Sequence, residues 1–263
     1  MEGQKTLLGR TVHDFAYDPI HDEIVVGNSF AQAILTFRGG ATGEEPPIRV
    51  IQGPHTRIVS QRALDKVTVD PINDEIFVST SANNILVFPR EAHGDVAPIR
   101  VLGGVEVDPR IGARPPMRVD PVRDLLIVGD RDRLLIFDRT ASGNARPRAI
   151  IPGPSAGGHQ FALYPPTGMV ITNRSGTIEG WSLEEALRLY DSGDLSTFRP
   201  RWRSSPTEPL VGRNGRGGGS GIALNPDDKE IIIASGSANT VWTFFVPEAF
   251  EEEPSQTARQ VGR

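Results

Sequence analysis

His13, Asp65 and His159 each stand six residues ahead of a proline that recurs along the chain, at Pro19, Pro71 and Pro165. Two imidazoles and a carboxylate brought to one point could ligate a divalent metal. They could equally act as a general acid/base pair on a small substrate. The same register in the two other copies of the pattern holds Pro115 and Ser220, which interrupts the set. Asp14 and Gln160 come next along, and three residues ahead of the prolines stand Ala16, Thr68, Arg118, Ala162 and Ala223, of which only Arg118 is charged. A spacing that follows from a repeat carries no motif specificity, so the expectation is no cofactor, with a divalent metal as the alternative.

A second cluster is cationic. Arg199, Arg201, Arg203, Arg213 and Arg216 surround Trp202, and arginine forks grip carboxylates or phosphates. A solvated edge strand followed by a flexible loop reads equally well from these letters. The glycine-rich run 212–221 lacks the Gly-Lys-Ser/Thr ending of a phosphate loop and leads into a strand. Gly153-Pro-Ser155-Ala-Gly157 matches a nucleophile elbow in letters only, because it lies in a Pro-Gly loop and not at a strand-to-helix turn. Asn28, Asn83, Asn84, Asp130, Asp132, Asn173 and Asn239 fall at turns, where Asn and Asp tolerate left-handed backbone.

The elements that must position these groups are repeats. Residues 66–88, KVTVDPINDEIFVSTSANNILVF, have cousins at 14–37, 117–137, 161–181 and 222–244, sharing Pro19, Pro71, Pro121, Pro165 and Pro226. A further shared block, Pro47-Ile-Arg-Val-Ile, Pro98-Ile-Arg-Val-Leu and Pro147-Arg-Ala-Ile-Ile, follows the first three. Each unit holds four short β-branched runs between turn signals; in the second these are 66–69, 75–80, 84–88 and 98–102. Asp18, Asp70, Asp120 and Asn225, just ahead of the prolines, are expected to close the turn that follows the first run.

Four antiparallel strands per repeat of about fifty residues describe a propeller blade, which needs neighbours to bury both faces. The expectation is an all-β chain: one β-propeller domain over 1–250 with five four-stranded blades, six being the alternative. Thr6-Leu-Leu-Gly-Arg10 is similar to Arg100-Val-Leu-Gly-Gly104 and is expected to supply the fourth strand of the last blade, with 258–263 as competitor. Residues 251–263 otherwise read as an acidic and polar tail. Ser182-Leu-Glu-Glu185 is a capping box, predicting a helix over 183–190 with Leu183, Ala186, Leu187 and Tyr190 on its apolar stripe and Gly193 as its stop.

Asp-Pro-x4-Ile-x-Val-x4-Asn-x-Ile-x-Val-Phe, at Asp70–Phe88, resembles the NHL and YVTN propeller repeats. The resemblance implies a propeller and an extracytoplasmic, bacterial setting, and says little about activity. The chain has 263 residues, no cysteine and a net charge of −5. Disulfides, thiolate metal sites and a cysteine nucleophile are thereby excluded, and the charge speaks against a nucleic-acid face. No apolar run reaches a membrane span and Met-Glu-Gly-Gln-Lys is not a signal peptide, so no membrane insertion is expected. The leading expectation is a non-enzymatic scaffold for a protein partner, docking through one propeller face and the 183–216 insertion. The alternatives are a lactonase-, lyase- or hydrolase-type enzyme with His13, Asp65 and His159 at the channel mouth, and a small-ligand or carbohydrate binder using Trp181, Trp202 or Trp242.

Overall fold

The computed structural model describes residues 1–9, 12, 14–59, 66–103, 111–112, 115–130, 132–154, 160–174, 177–205, 220–235 and 240–251. The repeats form five antiparallel sheets, each a meander in chain order. The first sheet holds β1 (Phe15–Asp18), β2 (Glu23–Asn28), β3 (Ala33–Arg38) and β4 (Arg49–Gln52). The second holds β5 (Lys66–Asp70), β6 (Glu75–Ser79), β7 (Asn84–Pro89) and β8 (Arg100–Gly103), within two residues of the sequence expectation. The third holds β9 (Met117–Asp120), β10 (Leu125–Asp130), β11 (Arg133–Asp138) and β12 (Ala149–Pro152). The fourth holds β13 (Ala162–Tyr164), β14 (Met169–Arg174), β15 (Thr177–Ser182) and β16 (Trp202–Ser204). The fifth has three described strands, β17 (Ser220–Asn225), β18 (Glu230–Ser235) and β19 (Thr240–Phe245). These are the blades of a five-bladed β-propeller. Contacts divide the chain into Met1–Pro152, with the first three blades, and Gly153–Arg263, with the last two.

In the first unit the blades stack through alternate residues of the same strands. Ile76, Val78, Leu86 and Phe88 join Val25, Ile34 and Ile51 of the first blade. Phe77, Ile85 and Val87 point the other way, into a cluster with Val119, Leu126, Val128, Leu135 and Phe137 of the third. Burial on both faces is why β6 reads as a continuous apolar run and not as an alternation.

One turn recurs between the first two strands of the first three blades. Asp18 Oδ1 accepts from the amides of Ile20 and His21 at 3.0 Å. Asp70 does the same for Ile72 and Asn73, both at 3.1 Å, and Asp120 for Val122 at 3.0 Å and Arg123 at 3.1 Å. The second oxygen is engaged by the same register position each time: His21 Nδ1 at 2.9 Å, Asn73 Nδ2 at 2.8 Å and Arg123 Nη1 at 3.0 Å. The last turn residue is left-handed, with φ of 52° at Asp22, 55° at Asp74 and 56° at both Asp124 and Lys229. The expected turn-closing role of these aspartates is therefore met.

Among the described residues 1–9 the amino-terminal stretch supplies no strand. Gln4–Thr6 form a 3-10 turn after Gly3 at φ 105°, with Thr6 Oγ1 donating to Gly3 O at 2.7 Å and accepting from the Leu8 amide at 3.2 Å. Pro54–Thr56 repeat it after Gly53 at φ 139°, with Thr56 Oγ1 to Gly53 O at 2.7 Å and the Ile58 amide at 3.3 Å. Residues 3–8 thus match the connector that follows a fourth strand. The hydroxyl that closes this turn competes with extended backbone, and it overrides the likeness of Thr6–Arg10 to residues 100–104. The competing segment, 258–263, lies outside the described residues.

In the second unit, helix α1 (Leu183–Asp191) starts as expected, with the Glu185 amide donating to Ser182 Oγ at 3.2 Å. It stops at Gly193, whose φ is 79° and whose amide reaches Tyr190 O at 3.0 Å. Leu183, Ala186 and Leu189 are buried; Leu187 and Tyr190, expected on the stripe, are only half-buried. The three-residue step from Ala186 brings Leu189 onto the buried face. Trp202 lies in the cluster of Ile171, Ile178, Ile231 and Ile233. Gly180 makes room for it: a Cβ there would come within 2.2 Å of Trp202 Cε2.

Candidate functional site

The turns and the strand starts define two ends of the first three blades. At the strand-start end, Asp14 precedes β1, Lys66 opens β5 and Arg118 lies in β9, three strands that adjoin in the order β1, β5, β9. Asp14 is 4% exposed, and its Oδ2 accepts from the Val67 amide at 3.1 Å, beside Lys66. Burial raises the Asp14 carboxyl above its usual range, against the opposing pull of Lys66, Arg118 and the Val67 amide. Burial likewise lowers the Lys66 ammonium; Asp14 opposes this and Arg118 adds to it. Arg118 is lowered by burial, with Asp14 opposing, and its Nη1 donates to Met117 O at 2.7 Å. The three form one electrostatic group in a region where charges are poorly hydrated. Such a group can hold an anion or present an activated amine.

Two of its members were visible in the sequence as members of a register: Asp14 beside His13, and Arg118 three residues ahead of its proline. Lys66 escaped notice. The available signals were its shared position with Asp14, five residues ahead of the proline, and its rarity, since Lys5, Lys66 and Lys229 are the chain's only lysines. His13, Asp65 and His159 lie outside the described residues, so the metal and acid/base expectation on them has no geometry here. Among the described residues, no group of His, Asp and Glu of metal-binding size is formed.

At the turn end, apolar side chains recur in the open. Ile20, Ile72 and Val122, each just after the shared proline, are 56%, 64% and 64% exposed. Ile48 and Ile99, ahead of β4 and β8 at the same end, are 47% and 51% exposed. The turns carrying them are tied together, since His21 Nε2 of the first blade lies 3.4 Å from Asp74 Oδ1 of the second.

In the insertion of the second unit, the described arginines have internal partners. Arg201 Nε meets Glu185 Oε2 at 2.8 Å, Arg203 Nη2 meets Glu179 Oε1 at 2.6 Å, and Arg199 Nη1 donates to the carbonyls of Ser196 at 3.1 Å and Phe198 at 2.7 Å. Arg203 stays 59% exposed while holding Glu179. Arg213 and Arg216 lie outside the described residues. The tryptophans are packing groups: Trp181 is buried with Nε1 3.3 Å from Thr172 Oγ1, and Trp202 and Trp242 are half-buried against the unit's core. Three of the turn polar groups are likewise committed, with Asn28 Nδ2 donating to Leu7 O at 2.7 Å, Thr80 Oγ1 to Asn84 Oδ1 at 2.7 Å, and Arg133 Nη2 2.8 Å from Asp130 Oδ2.

Among solved structures the chain is similar to Kuenenia stuttgartiensis hydrazine synthase, with a TM-score of 0.54 and 11% identity over 85% of this chain. The likeness is one of fold. The chain spans 55% of the length of that neighbour, and at such identity the shared propeller carries no activity across. No protein-family model matches the chain, and no curated protein matches it. Among the described residues no helix is long and apolar enough to cross a membrane.

Proposed function

We propose that this chain is a non-enzymatic propeller of the NHL/YVTN repeat type that docks a protein partner on the turn end of its first three blades. The observation that carries the reading is the exposure of Ile20, Ile72 and Val122 at one repeated register. Repeats bury their apolar residues against one another; an apolar position kept in water three times over is suited to an external surface. Asp22, Asp74 and Asp124 flank the three as exposed carboxylates, giving the apolar row a polar rim of the kind interfaces carry. The insertion of the second unit is a separate docking element in this reading, through Arg199, Arg201, Trp202, Arg203, Arg213 and Arg216.

The test is capture from an extract of the source cell by wild type, by an Ile20→Lys/Ile72→Lys/Val122→Lys variant and by an Arg199→Glu/Arg203→Glu variant. A protein recovered stoichiometrically by wild type and lost with the first variant, at unchanged thermal stability, supports the turn-end surface. Undiminished recovery with that variant overturns it.

A second reading, an enzyme of lactonase, lyase or hydrolase type, draws on the Asp14, Lys66 and Arg118 group, with His13 and Asp65 next to Asp14 and Lys66 in the sequence. Stoichiometric divalent metal in the purified protein, lost in a His13→Ala/His159→Ala variant, would favour it.

A further inference from the structure

We infer that Lys66 and Arg118 form a site for a small 2-oxo acid, holding its carboxylate on the guanidinium and its carbonyl carbon as a reversible imine of the Lys66 amine. The site is at the strand-start end of the blades and does not depend on the docking reading, which uses the opposite end.

Three observations point to Lys66. Its side chain is half-buried, and among the described residues its amine makes no hydrogen bond or ion pair, whereas Lys229 Nζ is held by Glu251 Oε1 at 2.5 Å and Lys5 is exposed. It opens the middle of three adjoining strands, with Asp14 ahead of one neighbour and Arg118 in the other. Burial and the nearby guanidinium disfavour its charged form, which leaves more of the neutral amine that attacks carbonyls; a desolvated lysine beside another cation is the usual route to such an amine. Arg118 sets the ligand class. Its planar fork matches a carboxylate, and β5 and β9 adjoin as the first strands of neighbouring blades, so a carbonyl adjacent to that carboxylate is placed on the Lys66 side.

Asp14 completes the chemistry. The amine lone pair bonds to the carbonyl carbon, and a proton passes from nitrogen to the former carbonyl oxygen, giving the carbinolamine. The hydroxyl leaves as water with the proton of the Asp14 carboxyl, which burial keeps protonated to higher pH than usual. The product is a protonated imine beside the Asp14 carboxylate, and water addition reverses it. Amine, oxo acid and one proton give iminium and water, with no oxidant or reductant consumed.

The experiment incubates the full chain with glyoxylate and cyanoborohydride and maps the modified lysines by mass spectrometry. Lys5 and Lys229 serve as internal comparators. A parallel reaction uses acetaldehyde, which has the carbonyl but no carboxylate. The expected result is carboxymethylation severalfold greater at Lys66 than at Lys5 and Lys229, with a smaller preference for Lys66 in ethylation. Carboxymethylation at Lys66 no greater than at Lys5, or an equal preference with both aldehydes, overturns the site. An Arg118→Gln variant that remains folded should lose the extra preference for glyoxylate, and persistence of that preference removes Arg118 from the assignment.

Discussion

Glu75 of the second blade is bound by Arg139 of the third, with Arg139 Nη1 2.7 Å from Glu75 Oε2. The carboxylate is also taken end-on by Arg100 of its own fourth strand, at 2.7 Å on each oxygen. The first blade repeats the device: Glu23 pairs with its own Arg49 and, at 3.1 Å, with Arg90 of the second blade. In the third blade both members of the in-blade pair change together, to Leu125 and Ala149. Ionic clamps thus join blades one to two and two to three.

Glu75→Ala should cost about 3 kcal/mol in urea unfolding, the low end for breaking a buried pair, because it strands two guanidiniums that remain partly solvated. Copying the third blade with Glu75→Leu/Arg100→Ala should recover a large part of that loss. A double variant as unstable as the single would show that the clamp has no apolar substitute here.

Asp70→Ala removes the acceptor of two turn amides and should destabilise by roughly 2 kcal/mol, within the range for charged hydrogen bonds. Asp70→Asn keeps one acceptor oxygen and should cost clearly less. Equal losses in thermal unfolding would contradict a role confined to the turn.

Gly180→Ala drives a methyl into the Trp202 indole and should cost about 1–3 kcal/mol, as overpacking does. Adding Trp202→Leu should relieve most of it. The comparison is made by chemical denaturation, and failure of the second change to rescue would mean that the glycine serves something other than the indole.

The Asp14 carboxyl is raised in the folded chain, so its contribution to stability is complete below its usual 3.8 and is lost as pH rises through the folded value. Asp14→Asn does not titrate. The stability of wild type minus that of Asp14→Asn should therefore fall as pH is raised from about 3 to 8, followed by urea unfolding at each pH. A difference that grows over this range would mean that Lys66 and Arg118 outweigh burial and hold the carboxylate in its charged form.

The blades, their strands and the Asp-Pro turns were legible in the letters because each is decided locally. A β-branched run selects extended backbone, and an aspartate ahead of Pro-x-x caps the amides that follow it whatever the rest of the chain does. Ser182 and Gly193 marked the ends of α1 for the same reason. The connector Gly3–Leu8 was equally local, and its match to Gly53–Ile58 was obscured by a superficial likeness to a strand. What the sequence could not show were relationships that exist only once blades adjoin. Glu75 and Arg139 are 64 residues apart, and nothing in their neighbours along the chain announces the pair. Asp14, Lys66 and Arg118 acquire their altered charge preferences from shared burial, which depends on three strands from three repeats standing side by side. The exposure of Ile20, Ile72 and Val122 is of the same kind: their apolar character is written in the chain, but whether another blade covers them is settled by the stacking alone.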